Sequence, residues 1–324
     1  MDAATLFEEF DQLTDVPGGV DRLRGMILDL ACRGKLSEQK RDDGTVDELL
    51  GAIALSRGGL IAAGLGKKEK TVPGVEPGSE PFDVPETWRW ASVAALTCYI
   101  QRGKGPKYTE QSEIPVISQK CVQWSGFDIT RARFLDPKFL YNYSPERFLR
   151  PGDLLWNSTG TGTIGRVNVL PDLRETYPRL VADSHVTVIR PVLVEPLFIW
   201  CWLASPTVQS TIDDISTGTT KQKELNTETV RKHLVPLAPL KEQKRIIANV
   251  EQLMALCREL DEKQKKKRET RISLNNACLD RLLAAHQRDA FAVHWQQIIE
   301  NFHELYSEPT TLVSPSGMVE TPRL

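Results

Sequence analysis

The stretch from Leu240 to about Ala285 contains neither proline nor glycine and is dense in Glu, Lys, Gln, Arg and Leu. Ile246, Val250, Leu253, Cys257 and Leu260 follow a 4-3-4-3 spacing, the rhythm of a coiled-coil seam. The seam turns polar at Gln264, Lys267 and Arg271 and resumes at Leu274 and Cys278. At 1.5 Å per residue such a helix is on the order of 65 Å long. A helix of that length with so narrow an apolar stripe needs a partner helix, from the same chain or from another copy. Ile246, Val250, Leu253, Cys257, Leu260 and Leu274 are therefore the expected partner-contacting residues.

The rest of the chain reads differently. Leu6, Phe7, Phe10 and Leu13 mark one face of a short helix between Ala3 and Asp15, ended by Pro17, Gly18 and Gly19. Val20, Leu23, Met26, Ile27, Leu30 and Ala31 mark a second helix with Gly34 as its stop, and a third is expected from Asp47 to Ala63. Gly66 to Asp83, rich in Pro, Gly, Lys and Glu, reads as a linker or extended arm. Between Trp88 and Ala238, short runs such as Ile114–Ile117, Asp153–Trp156, Arg166–Leu170 and His185–Ile189 read as strands. Helices are expected at Leu197–Ser205 and Pro206–Ile215. The fold class is α+β: a β-rich mixed domain, an N-terminal helical arm and a long C-terminal helix. The expected divisions are 1–65, 66–81, 82–239, 240–286 and 287–324. In addition, Leu6–Pro17 aligns without gaps with Ile298–Pro309, sharing Glu8/Glu300, Phe10/Phe302, Leu13/Leu305 and Pro17/Pro309, as if the chain began a second copy of its own start.

Composition narrows the function classes. With 41 Lys and Arg against 43 Asp and Glu, no global basic excess advertises nucleic acid, although a local basic surface suffices to bind it. The six cysteines lie far apart without a C-x-x-C pair, and the five histidines complete no metal-ligand spacing, so reduced thiols, no metal and a cytoplasmic location are expected. No apolar run approaches the ~20 residues of a membrane span, and the acidic first ten residues do not read as a secretory signal.

Catalytic motifs are mostly missing. Gly160-Thr-Gly-Thr-Ile-Gly165 matches the letters of a dinucleotide-binding G-x-G-x-x-G, but strand-like sequence on both sides makes it a loop between strands. Asp183, Ser184 and His185 are adjacent and cannot adopt triad geometry. No G-x-S-x-G, P-loop, H-E-x-x-H or N-P-P-aromatic motif occurs, and no catalysis is expected of this chain alone.

Three polar loops remain. Arg102, Lys104, Lys107 and Tyr108 occupy the first, Ser158, Thr159, Thr161 and Thr163 the second, and Thr219, Thr220, Lys221, Gln222 and Lys223 the third. Cations neutralise phosphates, hydroxyls and amides fix register, and Arg, Lys, Gln and Asn read base edges, so these residues are the DNA-binding candidates. The Lys263–Arg268 run reads as a solvated helix face.

Several segments resemble one family. Val235-Pro-Leu-Ala-Pro-Leu-Lys-Glu-Gln-Lys-Arg-Ile-Ile247 is similar to the P-L-P-P-L-x-E-Q-x-R-I segment that opens the spacer helix of type I restriction-modification specificity subunits. Arg22–Leu36 resembles that family's N-terminal L-R-x-x-I-L-x-L-A-x-x-G-K-L segment, Pro81–Trp90 its entry into the recognition domain, and Gly218–Asn226 the loop before the helix. A full member has two recognition domains and two long helices in pseudo-two-fold arrangement, whereas this sequence carries one of each. The resemblance implies a non-catalytic, half-size subunit with a single target recognition domain. It would read double-stranded DNA and position adenine-N6 methyltransferase subunits, alone or with a restriction subunit. It further implies pairing with a second copy or another half-chain, and S-adenosylmethionine bound by the methyltransferase rather than here. A protein-only scaffold and a nucleotide-binding enzyme using the 160–165 loop are the alternatives.

Overall fold

The computed structural model describes residues 18–68, 71–110, 112–217 and 223–306. The expected first helix and Thr219, Thr220, Lys221 and Gln222 lie outside them. The chain forms two compact units, one ending at Met254 and the other beginning at Ala255.

The first unit opens with α1 (Gly19–Cys32), which buries Val20, Leu23, Ile27, Leu28 and Ala31. Its end is a Schellman motif: Lys35 N–H donates to Leu30 O at 2.9 Å and Gly34 N–H to Ala31 O at 3.2 Å. Gly34 adopts φ +66°, and a Cβ there would lie 2.8 Å from Pro85 Cγ, so conformation and space both require glycine. Helix α2 (Val46–Ala62) tolerates three internal glycines because its start is capped reciprocally. Thr45 Oγ1 accepts from Glu48 N–H at 3.2 Å, and Glu48 Oε2 accepts from Thr45 N–H at 3.1 Å. The described residues of the Pro- and Gly-rich arm form no helix or strand, yet they are docked: Lys67 N–H donates to Cys98 O, Arg231 to Thr71 O and Ser92 Oγ to Pro73 O.

The β-rich part contains β1 (Arg89–Ser92), β2 (Thr97–Arg102), β3 (Tyr108–Thr109), β4 (Pro115–Ile117), β5 (Val122–Gln123), β6 (Gly126–Phe127), β7 (Arg133–Leu135), β8 (Leu154–Asn157), β9 (Val167–Val169), β10 (Val181–Ala182), β11 (Val186–Pro191) and, later, β12 (Leu234–Leu237). One four-stranded antiparallel sheet runs β2-β11-β8-β9, with Thr187 opposite Arg102 on one side and Trp156 on the other. A second runs β10-β4-β7-β3, in which only the β10–β4 pair is parallel. β1 pairs with β12, and β5 with β6. Between β11 and β12 lie α3 (Pro196–Leu203), α4 (Pro206–Gln209), α5 (Ile212–Ile215) and α6 (Thr227–Lys232). The single helix expected over Pro206–Ile215 is broken into α4 and α5. Thr211 Oγ1 donates back to Val208 O at 2.8 Å and Ser210 Oγ to Thr207 O at 3.2 Å, offering the backbone an alternative to helical continuation.

Trp88, Trp156, Trp202 and Phe198 are the largest enclosed side chains. His233 packs against Trp156 and Trp202, and burial pushes its imidazole down to about 4. Arg190 spans the interior as a clamp. Its Nε and Nη2 each donate to the Asp153 carboxylate at 2.8 Å, while the guanidinium also reaches Leu65 O, Glu146 O and Phe148 O. Burial opposes its charge, and the Asp153 carboxylate more than offsets that, holding Arg190 above its ordinary value.

Leu240–Leu283 is one unbroken 44-residue helix, α7, as the sequence predicts. Its first turns find their cover within the same chain, one of the two options the seam left open. Within the first unit, Glu242 accepts from Trp88 Nε1 and Ser37 Oγ at 2.9 Å each, Arg245 pairs with Asp43, and Asn249 Nδ2 donates to Leu36 O at 2.6 Å. Ile246, Val250 and Leu253 lie on the same face and are buried. These three seam residues are thus buried within the first unit itself, which leaves them no surface for a second chain. The 4-3-4 spacing reported a buried stripe and not what buries it.

In the second unit α7 continues with Cys257 buried, Leu260 half-buried and Leu274 exposed. α8 (Arg288–Glu300) and α9 (Phe302–Leu305) follow, burying Ile298 and Leu305, and Tyr306 Oη donates to Asn275 Oδ1 at 2.6 Å. Phe291, Trp295, Ile299 and Phe302 stay largely exposed. Among the described residues no helix is long and apolar enough to cross a membrane.

Candidate nucleic-acid interface

The glycine-rich loop joins β8 to β9, two antiparallel neighbours. Gly160 takes φ +101°, and a Cβ there would lie 2.4 Å from Thr163 Oγ1 and 2.6 Å from Gln119 Oε1. Thr163 N–H and Ile164 N–H both donate to Gly160 O at 3.0 Å, closing a tight turn. No helix begins at this loop, so it lacks the aligned N–H groups a pyrophosphate would need. The nucleotide reading therefore has no structural basis. The triad letters are equally inert: Asp183 Oδ1 accepts from the backbone N–H of His185 at 2.8 Å, and Ser184 O accepts from Arg102 Nε at 2.8 Å.

The three loops singled out in the sequence come together where their ends are described. Leu225 N–H donates to Ser158 O at 2.8 Å, Thr159 bridges to Glu224, and Glu224 and Thr217 exchange backbone hydrogen bonds at 2.8 Å. Arg102 joins the first loop to the third through its ion pair with the Glu224 carboxylate. The turn at 183–185 is the shared base: Ser158 N–H donates to His185 O, Gly103 N–H to Val186 O and Lys104 N–H to Ala182 O, at 2.9, 3.0 and 3.2 Å. Burial raises the Asp183 carboxyl within this base.

The individual candidates fare differently. Arg102 is spent on Glu224 and Ser184. Lys104 donates to Asn142 O at 2.6 Å, and Lys223 pairs with Asp213 at 2.7 Å, both near the surface. Such exposed contacts are weak enough to exchange for a phosphate. Lys107 and Thr161 are exposed. Thr159 Oγ1 lies 2.6 Å from His185 Nδ1, and Thr163 Oγ1 donates to Gln119 Oε1 at 3.2 Å. Two candidates are corrected. Ser158 is wholly buried with its hydroxyl against Thr187 and Trp156 O, so it shapes the loop and does not reach outward. Tyr108 packs on the cluster of Val116, Leu135, Tyr143 and Val181, and the Arg133 guanidinium sits 3.7 Å over its ring. Thr219, Thr220, Lys221 and Gln222 belong to the third loop but lie outside the described residues.

Sequence reasoning missed Glu224, His185 and Gln119. Glu224 stands in the polar string of the third loop, but nothing local marks it as the partner of an arginine 122 positions earlier.

Comparison with known proteins gives a consistent assignment. The model of a family described as type I restriction modification DNA specificity domain matches residues 106–269, just over half of the chain. The specificity subunit of the type I restriction enzyme EcoAI of Escherichia coli is 26% identical over 307 residues, 94% of this chain and 50% of that protein. The EcoEI specificity subunit of the same organism is 24% identical, over 91% of this chain and 49% of its own length. The chain thus spans about half the length of these curated relatives. A solved HsdS subunit from Thermoanaerobacter tengcongensis aligns over 87% of this chain and 55% of its own, at 17% identity and a TM-score of 0.43.

Proposed function

Because this chain belongs to the type I restriction modification DNA specificity family, we propose that it reads DNA sequence without catalysing a reaction itself. Its recognition domain takes one half-site of a bipartite target in double-stranded DNA and positions separate adenine-N6 methyltransferase subunits, in the cytoplasm. S-adenosylmethionine is bound by those partners, which work alone or with a restriction subunit. The observation that carries this reading is the meeting of three polar loops, the first two seated on the turn at 183–185 and the third joined to them through Ser158, Thr159 and Arg102. Loops on a rigid scaffold are the usual place for recognition, since their backbone and side chains are positioned before the ligand arrives.

Lys107, Lys221 and Lys223 contact phosphates, while Thr161, Thr220 and Gln222 face the groove. Lys104 and Arg102 hold the loops in register. A second copy of the chain supplies the other half-site. The exposed Phe291, Trp295, Ile299 and Phe302 support such pairing, as does the recurrence of Leu6–Pro17 at Ile298–Pro309. A two-fold pair reads a palindromic bipartite site with centres about one DNA turn, ~34–36 Å, apart.

Changing Lys107, Lys221 and Lys223 together to alanine tests the phosphate assignment. In the assembly with its methyltransferase, the plot of log affinity against log salt should flatten by about 2–3 units per copy of the chain, about 5 for a pair, since each neutralised phosphate contributes ~0.9. An unchanged slope with unchanged affinity would remove these lysines from the interface.

A further inference from the structure

We infer that the β5–β6 hairpin is a fourth DNA-reading element and that Trp124, at its tip, lays its indole against a base step of the target. This rests on the DNA-reading role proposed above.

The hairpin pairs Val122 with Phe127 and Gln123 with Gly126, so Trp124 and Ser125 form a two-residue turn, with Gly126 at φ +125°. Trp88, Trp156 and Trp202 are enclosed by the fold, whereas Trp124 is 56% exposed. A lone surface tryptophan needs no explanation by itself. What sets this one apart is how firmly its turn is fixed to the glycine-rich loop. Arg166 donates through Nη1 to Gln123 Oε1 at 2.6 Å and through Nη2 to Gly162 O at 2.7 Å. Asn168 Nδ2 donates to Gln123 O, and Gln123 Nε2 to Lys120 O, each at 2.7 Å. On the other side of the hairpin, Gln119 accepts from Asn157 Nδ2 through its carbonyl at 3.1 Å and from Thr163 Oγ1 through its side chain at 3.2 Å.

Hairpin and glycine-rich loop therefore move as one body, carrying Trp124, Thr161 and Lys120 together. Lys120 is exposed, and among the described residues its ammonium has no partner, so it is available to a phosphate. The chemistry suits DNA. An indole has two torsions to order and a large flat face, so it binds at little entropic cost when its backbone is already fixed. Such a ring stacks on a base or wedges between base steps, with most effect at easily unstacked pyrimidine–purine steps.

The test uses the full chain assembled with its methyltransferase and a pool of randomised duplexes, comparing the wild type with Trp124→Ala and Trp124→Phe. Bound duplexes are sequenced and affinity for the enriched motif is measured. Trp124→Ala should weaken binding by about tenfold, within the range of lost base–aromatic stacking, and relax the motif at one step. Its salt slope and thermal midpoint should stay at wild-type values, because the indole neutralises no phosphate and is not part of the core. Trp124→Phe should restore most of the affinity. Equal affinity and an identical motif for wild type and Trp124→Ala would overturn the hairpin assignment alone. A wild-type assembly that enriches no motif would overturn the DNA-reading role on which it rests.

Discussion

Replacing Arg190 with leucine is expected to cost the first unit about 3–5 kcal/mol, because it leaves the Asp153 carboxylate buried without its countercharge. Both side chains are nearly inaccessible, at 9% and 1% exposure, so water cannot take over. The loss extends beyond the pair. Leu65 O, Glu146 O and Phe148 O also lose a donor, and these carbonyls come from two separate segments that the guanidinium ties to β11. Arg190→Lys keeps the charge but not the two-pronged geometry, and should fall between the leucine variant and the wild type. Urea unfolding followed by tryptophan emission measures this directly. A leucine variant with the wild-type midpoint and slope would show that the clamp is dispensable.

The second large effect concerns the 183–185 turn, on which the first two loops sit and through them the third is held. A Cβ at Gly103 would lie 2.1 Å from Ala182 O and 2.2 Å from Asp183 O, both backbone atoms that cannot rotate away. Gly103→Ala must therefore lift the first loop off the 183–185 turn. That breaks the hydrogen bonds of Gly103 N–H and Lys104 N–H and unseats Arg102 from Ser184 O and Glu224. Overpacking of this kind costs about 1–3 kcal/mol in stability. DNA affinity should drop at least about tenfold, because loss of positioning spreads to all three loops. Gly105→Ala is the control, since its added methyl meets nothing within 4 Å. Equal DNA affinity for the two variants would mean that loop docking does not matter for recognition.

Much of the architecture was legible in the sequence because it is written locally. The Gly34 stop and the Pro- and Gly-free run of α7 each specify their element within a few residues, whereas the Thr45/Glu48 capping box that starts α2 went unread. The glycine-rich loop was legible as a strand connection for the same reason: apolar runs on both sides had the length of strands and no helical period. What the sequence hid is what covers a given face. Ile246, Val250 and Leu253 carry the same spacing whether their cover is a second chain or residues some 200 positions earlier, as the Arg245–Asp43 and Asn249–Leu36 contacts make plain. Tyr108 and Ser158 sit among polar loop residues, yet sheet pairing turns one onto an apolar cluster and encloses the other. Trp124 reads like any core tryptophan until the two-residue turn that exposes it is seen. The three loops were each recognisable, but their meeting depends on Glu224 and the 183–185 turn, contacts that no local pattern encodes.

On the proposed function, this chain supplies the address for adenine methylation. Long-read mapping of methylated adenines across the host genome, with the gene present, deleted and restored, tests that role most directly. A two-part motif with an unread gap should be methylated when the gene is present, lose its methylation on deletion and regain it on restoration. Methylation that is the same in all three strains would contradict the account.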